Sequence, residues 1–286
     1  MGEKNPGICE AGATEASDGT IVVKLGYRGA EFSGYAEQPG DLRTVAGELR
    51  RAFETLLRRP CELACAGRTD AGVHALAQYA SLPATAAELA REGRRLERSL
   101  VALTPEDISI RGLYQAPAGF SARFDARSRA YRYRIACGNA APVLGWGHAW
   151  WLRAVPDLDV EAMDAAAQAL VGEHDFMSFC KLSSANLILA DGRSTCRNVT
   201  TLRVSRVTEA GEDYVAIDVE GNAFLHNMVR AITGTLVEVG AGRRSVGWVA
   251  QVLEARDRAA AGPTAPACGL TLERVTYDPG VLVPWA

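Results

Sequence analysis

Two successive stretches of this chain present the same order of strand-like and helix-like patterns, and that order constrains the fold more than any other feature. In the first stretch, Ile21, Val23 and Leu25 alternate with Val22, Lys24 and Gly26, the period expected of a sheet strand. Residues 44–60 then place Val45, Leu49, Ala52, Phe53, Leu56 and Leu57 at helical spacing, with Thr44 as N-cap and Pro60 as stop. CELACAG (61–67) and HALAQYASL (74–82) read as strands. ELAREGRRLERSLVALTP (88–105) reads as a helix weakened at Gly93, and DISIRGLYQAP (107–117) as a strand. The sum is β-α-β-β-α-β, the split βαβ or ferredoxin-like arrangement.

The second stretch repeats it. AYRYRIAC (130–137) is a strand, and DVEAMDAAAQALVG (159–172) a helix with Asp159 as cap and Gly172 near its end. NVTTLRVSRV (198–207) and DYVAIDVEG (213–221) are paired strands, AFLHNMVRAITGTLVEVG (223–240) an amphipathic helix, and TLERVTYD (271–278) a closing strand. The expected class is α+β, mixed α/β. Two ferredoxin-like halves form one extended, mostly antiparallel sheet, with helices packed on it and a central basic cleft between the halves. The expected division is a flexible N-terminal extension at 1–19, a first α/β domain at 20–120 and a second at 121–286.

Composition bounds the function classes. Of 286 residues, 48% are hydrophobic and 23% charged, which is ordinary for a globular chain. No apolar run approaches the roughly 20 residues that span a bilayer, and the polar, Gly-rich start has no apolar segment of a secretory signal. Seven cysteines pair into no CxxC or CxxC…HxxxH pattern, so free thiols in a reducing cytoplasm are expected and a structural zinc site is not. The net charge of −3 argues weakly against a nucleic-acid partner, but the charge is uneven. RFDARSRAYRYR (123–134) sets Arg123, Arg127, Arg129, Arg132 and Arg134 against Asp125 alone. Basic clusters also lie at 50–59 and 91–98; these read equally well as solvated helix faces or as phosphate-binding patches.

Four constellations carry chemistry. In CAGRTDAGVHA (65–75), Gly67 and Gly72 bracket a turn that projects Arg68 and Asp70. Asp70 there is a base, a nucleophile or a metal ligand, or only an Asx-type turn bonding its own backbone. Asp70 and His74 have the i, i+4 spacing of a helical metal pair, but Gly72 and Val73 oppose a helix and no third ligand is near. On the strand at 130–137, Tyr131, Tyr133 and Ile135 share one face and Arg132 and Arg134 the other. Aromatic and arginine together suit base stacking and phosphate contact; an amphipathic strand with its tyrosines in the core is the plainer reading. In GNAFLHNMVRAITG (221–234), Leu225, Met228, Val229, Ile232 and Leu236 make the apolar stripe, with His226, Asn227 and Arg230 on another side. APACGL (265–270) is an ordered loop entering a strand at Leu270.

Taken together and in this order, AGRTDAGVHA, FSARFDARSRAYRYR, LVGEHDFMSFC, GRSTCRNVTTLRV, GNAFLHNMVRAITGTLVEVG and APACGL resemble the blocks of the tRNA pseudouridine synthase A family, from about Val22 to Tyr277. The resemblance implies a homodimer in which one tRNA touches both subunits. It also implies isomerisation of uridine to pseudouridine on the 3′ side of the tRNA anticodon stem-loop (tRNA positions 38–40), after the base is flipped from its stack, with no metal or organic cofactor. It gives Asp70 as the catalytic aspartate, nucleophile or base toward the ribose. Arg68 is the arginine that helps expel the base, Tyr131 the tyrosine that stacks on the uracil, Arg230 the basic partner of Asp70, and Leu270 the apolar residue packed near the base. Arg123, Arg129 and Arg132 join Arg68 as expected RNA contacts. One stretch departs from the family: GYAEQPG (34–40) has Tyr35 and Ala36 where the family has tryptophan and glutamine. Two other classes fit parts of the pattern: a non-catalytic RNA-binding protein on this scaffold, and a metal-dependent hydrolase using Asp70 and His74. A carboxylate facing a phosphate-rich partner is repulsive and argues against the first.

Overall fold

A computed structural model describes residues 17–153 and 155–286; most of the expected N-terminal extension lies outside the described residues. The elements run β1 (Gly19–Tyr27), α1 (Val45–Leu57), β2 (Ala64–Cys65), β3 (His74–Ala84), α2 (Ala86–Leu89), α3 (Gly93–Leu103) and β4 (Ile108–Ala116). They continue as β5 (Ser128–Cys137), β6 (Trp150–Leu152), α4 (Val160–Ala167), β7 (Gly172–Asp175), α5 (Leu182–Ala190), β8 (Cys196–Glu209), β9 (Glu212–Gly221), α6 (Met228–Gly240), α7 (Trp248–Ala255), β10 (Leu270–Thr276) and β11 (Val283–Pro284).

The protein is α+β, built on one 11-stranded sheet in the order β11-β4-β1-β3-β10-β5-β9-β8-β7, with β2 on β3 and β6 on β5. The order β4-β1-β3-β2 in the first half and β10-β5-β9-β8 in the second is the split βαβ order twice over. The halves meet where the first is cut short. β2 pairs with β3 only at Ala64↔Ser81 and Cys65↔Ala80, and β10 takes over at the other end of β3, at Thr271↔His74 and Leu272↔Ala75. That junction is parallel, as is β5/β6; the remaining pairings are antiparallel. The residues between β2 and β3 therefore leave the sheet at its central seam, where the two halves join.

Strand alternation decides what faces this seam. Tyr131, Tyr133 and Ile135 on β5 are buried, and register carries their face across Leu272 and Ala75 on one side and Val219 and Leu202 on the other. On β3 the pairings Tyr27↔Ala75 and Leu25↔Gln78 set three residue steps against two. This bulge keeps Ala75, Gln78, Ala80 and Leu82 on that same buried face. α1 and α3 pack together, as do α4 and α6, with α4 against β8. Their apolar residues and this face form one continuous core.

Local signals hold at the helix starts. Thr44 accepts from Gly47 N–H at 3.2 Å and Asp159 from Ala162 N–H at 2.9 Å. α1 ends at Leu57, with Arg58 in the left-handed conformation ahead of Pro60. Where one weakened helix is expected at 88–105 there are two, and residues 285–286 pack at the break. A Cβ on Gly93 would lie 2.5 Å from the Trp285 ring, and Gly93 N–H donates to Ala286 O at 3.0 Å. The helix expected from residue 223 starts only at Met228, after Asn227 takes a positive φ of 65°. α5, α7 and the short strands β6, β7 and β11 have no counterpart in the sequence reading. The boundary expected near residue 120 falls between β4 and β5, but the chain then returns. β11 pairs with β4, and Trp285, donating to Arg91 O, packs into the first half.

No helix among the described residues is long and apolar enough to cross a membrane.

Candidate active site

The loop from Ala66 to Val73 is clamped at Ala66, Gly67, Thr69 and Val73. Ala66 N–H donates to Tyr79 O at 2.9 Å. Gln78 brackets Gly67, donating to its carbonyl at 2.6 Å and accepting from its N–H at 3.4 Å. Thr69 is held on two sides: its hydroxyl bonds Tyr27 OH at 2.8 Å, and its carbonyl accepts from Tyr35 N–H at 3.0 Å. Val73 N–H closes a turn onto Asp70 O at 3.2 Å. Of the two bracketing glycines, Gly72 has a φ of +82° and needs glycine's freedom. Gly67 does not take a positive φ; its α-carbon lies against Tyr131, whose hydroxyl is 3.4 Å from where a Cβ would stand. Tyr35, in the stretch that departs from the family, is buried with its hydroxyl unpartnered among the described residues. It forms the wall behind the loop rather than a surface contact.

Asp70, one-quarter exposed, receives partners from the far half of the chain. Arg230 Nη1 donates to Oδ2 at 3.0 Å, across 160 residues of sequence. The same nitrogen bonds Asn227 Oδ1 at 3.0 Å, and Arg230 Nε donates to Ala265 O at 2.8 Å. Ala265 N–H in turn donates to Arg230 O, so α6 and the loop before β10 fix the guanidinium together. His226 Nε2 lies 3.4 Å from Asp70 Oδ1, and its Nδ1 is 2.9 Å from Ser184 Oγ on α5. The sequence reading grouped His226 with Arg230 but gave it no contact with Asp70. The contact depends on the non-helical turn at 222–227 and on α5, neither of which has a local signal.

Arg230→Met leaves Asp70 without its cation in a partly buried site and frees the 263–269 loop. We expect kcat to fall by roughly a hundredfold or more and stability by about 1–3 kcal/mol. Steady-state kinetics and thermal unfolding check this; a kcat within threefold of wild type would refute the assigned partnership.

Tyr131 stands beside the loop, edge-on to Phe224 at 5.2 Å between centroids and 84° between planes. Burial pushes its phenol well up, so it stays neutral. Only 8% of it is exposed, so a base reaches the ring only if the loop or Phe224 gives way. Leu270 is buried one strand away, paired with Tyr133, whose hydroxyl donates to Pro266 O at 2.8 Å. Leu270 thus belongs to the packing that seats the 263–269 loop. That loop also touches the Asp70 loop: a Cβ on Gly72 would sit 3.2 Å from that of Ala267.

The four expected RNA-contacting arginines divide. Arg68 and Arg123 are exposed and have no carboxylate partner among the described residues. Both act on the Cys65 thiol, which burial nevertheless raises to about 11, so the two guanidiniums stand over the same part of the seam. Arg123 also lies over the Phe124 ring at 5.3 Å. Arg129 is buried, and all five of its N–H donors reach main-chain carbonyls: Ala66 O twice, at 3.0 and 2.8 Å, Ala126 O at 3.1 Å, Asn222 O at 2.6 Å, and Arg123 O. It holds the site's walls together and has no donor left for a phosphate. Arg132 is on the opposite face of the sheet, bidentate to Asp218 at 2.7 and 2.9 Å and bonded to Glu209 at 2.9 Å. Period-2 alternation sends it away from Tyr131.

His74 is turned from Asp70. Its Nδ1 accepts from Gly29 N–H at 3.1 Å, its Nε2 bonds Gly147 O at 2.9 Å, and its ring lies tilted against His148 at 4.3 Å between centroids. Burial, with His148 beside it, pushes its pKa from 6.5 down to about 4. The unfolded chain takes up this proton below about pH 6.5, while the folded protein resists until about pH 4. Stability is therefore full above pH 6.5, falls as the pH drops to 4 and levels off below, by at most about 3 kcal/mol from this group. Melting curves from pH 4 to 8 should show this slope in wild type and a flatter one in His74→Gln; parallel curves would refute it. No group of three or more His, Cys, Asp or Glu among the described residues is arranged to hold a metal ion.

Comparison with known proteins gives a consistent picture. A family profile described as tRNA pseudouridine synthase matches residues 166–278. A protein named tRNA pseudouridine synthase A from Chloroflexus aurantiacus is 43% identical over 93% of this chain and 91% of its own. Proteins of the same name from Aeromonas hydrophila and Streptomyces griseus are each 40% identical, covering 92% and 94% of this chain and in each case 92% of the relative.

Proposed function

The chain belongs to the tRNA pseudouridine synthase A family, and on that premise we propose that it isomerises uridine to pseudouridine in the anticodon stem-loop of tRNA, with Asp70 as the reacting carboxylate. The observation that carries this reading is the approach of Arg230 and His226 to Asp70 at the seam of the sheet, beside the exposed Arg68 and Arg123, which have no carboxylate partner among the described residues. A binding surface for a polyanion gains nothing from a carboxylate. A carboxylate on a loop fixed by its neighbours, with one oxygen bonded by Arg230 and the other facing His226, is suited to act on a sugar carbon.

In this reading the residues at 20–120 bring Asp70 and Arg68, and those at 121–286 bring Tyr131, Arg230 and Leu270. The target uridine leaves its stack at a cost of a few kcal/mol, and Arg68, exposed at the loop tip, fills the space it vacates. Asp70 acts on the ribose as nucleophile or base. The N1–C1′ bond breaks, the uracil turns against Tyr131, and the C5–C1′ bond forms. C5 loses a proton and N1 gains one, so the product is an isomer of the substrate. Arg230 balances the charge of Asp70 throughout. The proposal extends to a cytoplasmic homodimer in which one tRNA touches both copies. Pseudouridine mapping on a tRNA transcript, which carries no modification, tests the activity: conversion on the 3′ side of the anticodon stem-loop supports it, and none in any tRNA refutes it.

A further inference from the structure

We infer that Arg197 is an anchor for one phosphodiester of the bound RNA, a site distinct from the Asp70 loop; the inference rests on the tRNA reading above. Register places it. Arg129 on β5 pairs with Gly221 on β9, and Gly221 with Val199 on β8. Arg197 lies two residues before Val199, in a run paired regularly with β7. It therefore projects on the face that carries Arg129 and Tyr131, two strands away. Between it and the site lies Cys180, whose buried thiol interacts with both the Arg197 charge and the main chain of His226. Lys181 N–H, the next in sequence, donates to His226 O at 3.0 Å. The guanidinium thus stands behind the turn that brings His226 to Asp70.

Its bonding is incomplete. Nη1 donates to Ser194 O at 2.9 Å and Cys196 O at 2.6 Å. Nε is buried with no partner, and no carboxylate pairs with the side chain among the described residues. Burial lowers its pKa and the nearby Arg193 adds to the effect, so the charged form is penalised where it stands. The other inward-lying arginines are relieved: Arg129 by five carbonyl bonds, Arg230 by Asp70. Nε is enclosed, but Nη2 has no partner among the described residues and is not enclosed; a half-buried cation is costly unless an anion arrives, and an RNA phosphate meeting Nη2 supplies both charge and acceptor.

The test measures binding of an unmodified tRNA transcript as a function of KCl, for wild type, Arg197→Gln and Arg197→Lys, each well below its melting midpoint. For Arg197→Gln, Kd at low salt should rise roughly tenfold, the worth of one charge-assisted hydrogen bond. The slope of log Kd against log [KCl] should fall by about one. In kinetics KM should rise while kcat holds within about twofold. Arg197→Lys should keep the wild-type slope. A wild-type slope in Arg197→Gln, with only its melting point lowered, would show that Arg197 merely braces the 194–196 turn. The activity reading fails separately: wild type that binds with this salt dependence but forms no pseudouridine overturns the reaction and leaves the anchor standing. Wild type that does not bind RNA overturns both.

Discussion

Asp70→Ala is expected to abolish pseudouridine formation, lowering the rate by at least roughly four orders of magnitude, the scale of loss when a member of a catalytic group is removed, while tRNA binding persists. The loop around Asp70 is held by groups other than the Asp70 side chain. Gln78 brackets Gly67, Tyr27 and Tyr35 hold Thr69, and Arg129 holds Ala66. Removing the carboxylate therefore removes the proposed reacting group without dismantling its support. Binding should even tighten slightly, because a negative charge is lost from a surface that meets phosphates and Arg230 is released to them. Asp70→Asn keeps the shape and should be as inactive. The decisive measurement is pseudouridine mapping alongside direct binding, on the same transcript and for both variants. Residual conversion within a hundredfold of wild type would remove Asp70 from the chemistry.

The second large effect concerns a residue that reaches no substrate. Arg129→Met should cost about 4 kcal/mol, because one buried and three partly buried carbonyls lose their donors at about 1–3 kcal/mol each for the buried case, less what relaxation and solvent recover. At roughly 2–4 °C per kcal/mol for a chain of this size class, the melting point should fall by roughly ten degrees. The carbonyls belong to three segments: the Asp70 loop through Ala66, the approach to β5 through Arg123 and Ala126, and the turn after β9 through Asn222. Activity should fall even where the variant remains folded, since the loop and the 222–227 turn lose their common fastening. Arg129→Lys keeps the charge but not the planar fork, and should recover only part of the loss. Thermal unfolding of both variants checks this; a melting point within two degrees of wild type for Arg129→Met would mean the carbonyls find other donors.

Arg129 also shows why a basic motif misleads. In the sequence, Arg123, Arg129 and Arg132 are equivalent members of one arginine-rich run. In the structure one is exposed, one is consumed by the backbone, and one is paired with Asp218 on the other face. Strand alternation alone is enough to separate Arg132 from Tyr131. The difference between Arg123 and Arg129 is not in the sequence, because the carbonyls that Arg129 satisfies come from positions 66, 123, 126 and 222.

What the sequence determined by itself was whatever acts within a turn or a strand period. The caps at Thr44 and Asp159, the buried face of Tyr131 and Tyr133, the turn at Gly72 and the doubled order of elements all follow from neighbours a few residues apart. The motif around Asp70 was visible too, but by itself more readily as a turn than as a site. The family resemblance named Asp70 and Arg230 together, and tertiary structure shows how they meet. β2 stops after two residues, β10 enters beside β3, and the loop emerges at the seam to meet Arg230 from 160 residues away. The break at Gly93 by Trp285 and the reach of His226 to Asp70 are of the same kind. Local preferences cost or yield a few tenths of a kcal/mol to about one per residue and act at short range. A site assembled from distant segments depends on sheet register and on which strand fills a gap, and burial of the common core sets both.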